Sequence, residues 1–133
     1  MPSRTIVANE LATVLRQISH PDRIRLIQKL RVGDQTVNEM AAALDITPTR
    51  LSQHLAVLRA MGLVDIRSIG QSRFYRLTQP QLALWLIDGI DFIAHRIGRV
   101  SQSDVEHAKQ LWEADCADPV SPTEHDGVAS IAV

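Results

Sequence analysis

The chain has one cysteine, Cys116, in 133 residues. A lone thiol excludes an intrachain disulfide and any multi-cysteine metal cage. Long apolar runs are also missing, and no stretch of about eighteen apolar residues could cross a bilayer as a helix. The opening segment MPSRTIVANELATVL has no continuous apolar core followed by a small-residue cleavage site, so no secretory leader is expected. There is no glycine-rich phosphate loop, no nucleophile elbow and no zinc-hydrolase spacing, which removes the sequence grounds for an enzyme. His20 and Asp22 fall at a helix start, where capping accounts for them. The expectation is a cytoplasmic protein with no catalytic residues, no cofactor, no metal and no membrane partner.

What remains is a chain of ordinary apolar content, 45%, and a length that suits one folded domain. Its charge is uneven. Residues 1–102 hold thirteen Lys/Arg and eight Asp/Glu, a net of +5, whereas residues 103–133 hold one Lys and seven Asp/Glu, a net of −6. The near-neutral total hides a basic body and an acidic end, and a basic body suits polyanions. Two regions are therefore expected: 1–102 as a DNA-binding and dimerisation domain, and 103–133 as an acidic extension. Within the extension a short polar helix runs from Ser103 to about Trp112. From 114 the chain is acidic, aperiodic and interrupted by Pro119 and Pro122, which reads as a disordered tail that includes Cys116.

Along the body, Ile6, Leu11, Val14, Leu15 and Ile18 sit at mostly helical spacing. Ser19-His20-Pro21-Asp22 breaks and restarts the chain, with proline preset for a first helical position. The second helix, about 21–32, buries Ile24, Ile27 and Leu30, and Gly33 ends it as a left-handed stop. Thr36 with Glu39 forms a capping box for a third short helix to Leu44. Asp45-Ile46 makes a tight turn, Thr47 caps a fourth helix, Pro48 opens it and Gly62 stops it. LVDIRSI and SRFYRL then alternate as strands around Ile69-Gly70-Gln71, a hairpin. Residues 81–100 form a long apolar-rich helix with a stripe of Leu82, Leu86, Ile90, Ile93 and Ile97.

The fourth helix raises the functional question. At about 100° per residue, Leu51, Leu55 and Leu58 point one way, and Thr49, Gln53 and Ala56 nearly opposite. Ser52 and Arg50 flank them. A low polar face, presented by a preceding helix and a tight turn, fits the DNA major groove. Gln pairs with adenine, Arg with guanine, and Thr meets a thymine methyl or a phosphate. Arg67 and Arg73 flank the hairpin turn with Gln71 at its tip, suited to the backbone or minor groove. The expected DNA-binding residues are Thr47, Thr49, Arg50, Ser52, Gln53, His54, Arg67, Gln71 and Arg73.

Residues from about 8 to 99 resemble the ArsR/SmtB winged helix-turn-helix repressors of bacteria. The resemblance is carried by HPDRIRLIQKL, TVNEMAAALDITPTRLSQHLAVLRAMGLV and the wing GQSRFYRL. It implies a mainly α fold with a small β-hairpin wing. It also implies a homodimer formed through the N- and C-terminal helices, which represses transcription from an inverted-repeat DNA operator until an effector releases it. The apolar surface of the first and long helices agrees with such a dimer.

The family's metal patterns are not matched. Where a cysteine pair would hold a soft metal, this chain has Thr36 and Asn38 within Gln35-Thr36-Val37-Asn38-Glu39-Met40. Where Asp and His residues of the last helix would bind metal, it has Gln79, Gln81, Phe92 and His95, of which only His95 is a ligand type. One cysteine cannot form the family's disulfide within a chain. Asp88, Asp91 and His95, or Asp104 and His107, offer a non-standard carboxylate–imidazole arrangement, read first as a solvated face. An organic effector is then the expectation, in a pocket formed by Trp85, Phe92 and His95. The alternatives are a metal-responsive repressor using that non-standard site, and a winged helix that binds protein. An apolar patch over residues 49–53 would mark the last, and none is present.

Overall fold

Capping chemistry sets the helix boundaries. The structure, a computed structural model, describes residues 2–96 and 101–117. Helix α1 spans Pro2–Ile18, α2 Pro21–Leu30, α3 Val37–Leu44 and α4 Pro48–Ala60. Strands β1 (Val64–Ile69) and β2 (Ser72–Leu77) follow, then α5 (Gln81–Arg96) and α6 (Gln102–Ala117). The Thr36 hydroxyl accepts from the Glu39 amide, and the Glu39 carboxylate accepts from the Thr36 amide, so the capping box is complete. The Thr47 hydroxyl accepts from the Arg50 amide at 3.2 Å, with Pro48 at the first position of α4. Asp45 adopts a left-handed conformation, φ 55, in the turn between α3 and α4.

Helices α2 to α4 close around one apolar core. Leu26, Ile27, Met40, Leu51, Leu55, Leu58 and Val64 are fully buried. Burying a side chain of this size contributes about 1.5–3 kcal/mol. Leu77 and Ala83 join this cluster from the end of the hairpin and from α5. Two details of α2 differ from the sequence expectation. Leu26 takes the central place while Ile24 is only half-buried, and the helix ends at Leu30 with Gly33 at φ 141, outside the left-handed helical region.

The strands pair antiparallel, Val64 opposite Leu77 and Ile69 opposite Ser72, with Gly70 at φ 58 in the turn. One further ladder step lies outside the hairpin. The Gln35 amide donates to the Tyr75 carbonyl at 3.1 Å and the Tyr75 amide to the Gln35 carbonyl at 2.8 Å, which ties the loop before α3 to β2. Asp65 and Arg76, directly paired, form a two-pronged ion pair at 2.7 and 3.2 Å. This hydrogen-bonded carboxylate raises the Arg76 pKa above its ordinary value.

Helices α1 and α5 contrast with this core. Ile6, Val7, Leu11 and Leu15 of α1 and Leu84, Trp85, Phe92 and Ile93 of α5 are exposed, Phe92 to 76%. Of the expected α5 stripe, Ile90 is buried and Leu82 and Leu86 pack half-buried against the core, while Ala83 and Ile87, one position on, take the fully inward places. Ile93 is exposed and Ile97 lies outside the described residues. A helix that is apolar nearly all round does not define its own inner face. Helix α6 packs on α5 through buried Val105 and a 2.7 Å Lys109–Asp91 ion pair. It continues to Ala117, so 114–117 and Cys116 are helical and do not begin an aperiodic tail. The rest of that expected tail lies outside the described residues. Among the described residues no helix is long and apolar enough to cross a membrane.

Candidate nucleic-acid interface

The polar face of α4 forms as its spacing requires. Leu51, Leu55 and Leu58 point inward, leaving Thr49, Arg50, Ser52, Gln53 and Ala56 exposed. Thr47 is exposed too, although its hydroxyl already caps the helix. Beside α4 the hairpin projects as a wing, with Gln71, Ser72 and Arg73 exposed near its tip. Between them lies an open cleft of about 390 Å³, lined by Thr36, Val37 and Asn38 of the α3 start, Ser52 of α4, and Gln71, Ser72, Arg73 and Tyr75 of the wing. Three elements thus present hydroxyl, amide and guanidinium groups to one groove, the chemistry that holds a phosphate backbone. Asn38 and Ser72 were not singled out from the sequence, because only the folded chain brings the α3 start against the wing.

Two expected contact residues are not at the surface. Arg67, opposite Phe74 in the ladder, is 9% exposed, and its Nη1 lies 3.5 Å from Asp34 Oδ2. It fastens β1 to the loop before α3, and Arg73 alone of the two carries cationic charge at the wing tip. His54 is 7% exposed and lies beneath the polar face of α4. Its ring sits 4.6 Å from that of His20, and its Nδ1 accepts from Arg23 Nε at 3.2 Å. Burial holds its pKa below the ordinary value of 6.5, reinforced by His20 and the Arg23 guanidinium and opposed by Asp22.

His20, Asp22 and His54 bring three ligand-type atoms within 4.8 Å of one another. The donor set does not fit a cation. His20 Nδ1 accepts from the Asp22 amide and His54 Nδ1 from Arg23, so each neutral ring carries its hydrogen on Nε2. The Arg23 and Arg50 guanidiniums stand beside them. The cluster is a hydrogen-bonded junction between the start of α2 and α4. Of the other carboxylates considered from the sequence, Asp91 pairs with Lys109 and Asp104 with Ser101 at the α6 start, while Asp88 is exposed.

Of the expected effector residues, Trp85 lines a mostly apolar cavity of about 420 Å³ with Val14, Leu63 and Leu82, rimmed by Thr78, Gln79 and Gln81. Phe92 is exposed and does not line it. The His95 side chain lies outside the described residues.

A helix-turn-helix backed by a basic-tipped wing defines the class of winged helix DNA readers, and the comparisons agree. Residues 20–65 match the model of the family described as bacterial regulatory protein, arsR family. The chain is 40% identical over 83 residues to the biofilm growth-associated repressor of Agrobacterium fabrum, covering 62% of this chain and 71% of that protein. Among solved structures, the transcriptional repressor BigR from Xylella fastidiosa superposes with a TM-score of 0.59 at 37% identity, covering 65% of this chain and 92% of that one. The homodimeric winged helix-turn-helix DNA-binding domain of Mb0332 from Mycobacterium bovis shares the fold, with a TM-score of 0.60 at 24% identity over 70% of this chain and 90% of that one. The chain belongs to the ArsR family of bacterial regulatory proteins. It is a DNA-binding transcriptional regulator and not an enzyme.

Proposed function

We propose that the protein is a homodimeric repressor that occupies an inverted-repeat operator in double-stranded DNA and leaves it when an effector binds. The observation that carries this reading is the exposed Thr49/Arg50/Ser52/Gln53 face of α4 beside a wing tipped by Arg73. Gln53 and Arg50 read base edges, Thr49 and Ser52 meet methyl groups or phosphate, and Asn38, Gln71 and Arg73 hold the backbone. Thr47 serves chiefly as the helix cap. His54 and Arg67 support the interface from beneath. Residues 1–102 make up the DNA-binding and dimerisation unit, with α1 and α5 as the self-association surface, and 103–133 form an acidic extension. Two-fold symmetry then places two recognition helices about one helical turn of DNA apart. The protein works in the cytoplasm.

The effector is a small organic molecule, held in the Trp85 cavity. Its apolar wall and polar rim suit a compact apolar body with one hydrogen-bonding group. The cavity touches Leu63, just past the end of α4, and the Thr78 hydroxyl donates to the Gly62 carbonyl at 2.7 Å. A ligand there bears directly on the end of the recognition helix.

Fluorescence anisotropy with duplex DNA from upstream of its own gene, over a salt series, tests the operator reading. Tight, sequence-dependent binding with a steep salt slope supports it. Binding no stronger than to scrambled duplex counts against it. Quenching of tryptophan emission by added aromatic acids, lost in Trp85→Phe, tests the cavity.

A further inference from the structure

Arg50 occupies the third position of α4, at the end of a recognition helix that meets base edges. A free arginine there would search many rotamers before meeting a base. This one is tethered: its Nη2 lies 3.3 Å from Asp22 Oδ2, while its side chain stays 59% exposed. The tether is an ion pair, and it leaves the guanidinium N–H donors for a partner.

The carboxylate that holds it is itself fixed. Asp22 follows Pro21 in the first turn of α2, and its amide donates to His20 Nδ1 at 3.1 Å. Its Oδ2 lies 3.6 Å from His54 Nε2, a buried nitrogen that makes no hydrogen bond. Arg23 clamps the far side of that ring and donates to the Gln17 carbonyl at 2.7 Å, which connects the junction to the end of α1. Arg25 Nη1 stands 3.7 Å from the other carboxylate oxygen.

We infer that Asp22 is a positioning residue for base reading: it aims the Arg50 guanidinium from α2, a helix outside the recognition helix, and so helps set operator specificity. The inference rests on the DNA-reading function proposed above. A preset guanidinium loses less freedom on meeting a guanine edge, and a negative charge beside the phosphates discourages docking elsewhere. Replacing Asp22 should therefore weaken binding to the preferred site and strengthen binding to unrelated DNA.

The test is a double-mutant cycle on the full chain. The preferred duplex is selected by the unaltered protein from a randomised duplex library, and a scrambled duplex serves as reference. Asp22→Asn should lower the ratio of preferred to scrambled affinity roughly tenfold, about the discrimination of one arginine–guanine pair. In an Arg50→Ala background the same change should alter the ratio less than twofold. Equal losses in both backgrounds would show a merely structural role for Asp22. A ratio that stays the same or rises would show that Asp22 masks Arg50 and does not aim it. If Asp22→Asn fails to fold, Asp22→Glu, which keeps the charge and moves it by one methylene, should give a smaller loss that again disappears without Arg50. Failure to enrich any sequence would overturn the DNA-reading function itself, whereas enrichment without coupling overturns only the role of Asp22.

Discussion

Helix α4 and the pair α1 and α5 use apolar residues in opposite ways. In α4 every leucine is buried and every outward residue between Thr49 and Gln53 is polar, so the helix is complete within one chain and its outer face is left for a polar partner. In α1 and α5, Leu11, Leu15, Trp85, Phe92 and Ile93 remain in solvent. A surface of that kind belongs against another apolar surface. The same fold thus presents two surfaces of different chemistry, one polar and one apolar, which the proposed function assigns to DNA and to a second copy.

Substitutions should separate the two regions. The largest effect is expected at the core: Leu55→Ala should cost about 2–5 kcal/mol, read as a fall in the midpoint of denaturant unfolding, because a cavity opens under the recognition helix. Phe92→Ser should leave secondary structure intact and raise the dimer dissociation constant at least about thirtyfold in sedimentation equilibrium, the mark of an aromatic anchor. If Phe92→Ser instead unfolds the chain, α5 contributes to the monomer core and the contrast fails.

Two arginines sharpen the comparison within the wing. Arg67→Ala should destabilise the fold by about 1–3 kcal/mol by removing the buried pair with Asp34, with the salt dependence of DNA binding unchanged. Arg73→Ala should do the reverse, reducing the salt slope by about one with little change in stability. A smaller effect concerns His54. In the folded chain its pKa lies below 6.5, so as pH falls the unfolded chain takes up this proton first. Stability contributed by the neutral ring is present above about 6.5 and is lost as pH drops from there toward the folded value. Melting curves from pH 7.5 to 5 should show that loss, and His54→Gln should flatten it.

The helix order, the Thr36–Glu39 capping box, the Thr47–Pro48 start and the hairpin were legible because each depends on neighbours in sequence. The misses at Arg67 and in the phase of α5 depend on distant ones. Arg67 turns inward because Asp34, thirty-three residues away, waits beside β1. The phase of α5 is set by which of its apolar rows meets α2, where Gln28 donates to the Ala83 carbonyl. His54 was readable: three residues on from Leu51, it falls only about 60° from the buried stripe, closer to the core than to Gln53. Adjacency to Gln53 in sequence concealed that angle. The Asp22–Arg50 tether had no signal in sequence, since an acid in a first helical turn is already explained by the helix dipole.

The reciprocal pairing of Gln35 with Tyr75 means that the wing is not a loose arm. It moves with the loop that leads into α3, so the gap between wing tip and recognition helix behaves as a fixed caliper. On the proposed DNA-reading function, a caliper of set width would measure the duplex before any base is read, and a stretch with an altered groove would be refused on its dimensions alone. Lengthening the turn at Gly70-Gln71 would open its jaws without touching a single base-reading side chain.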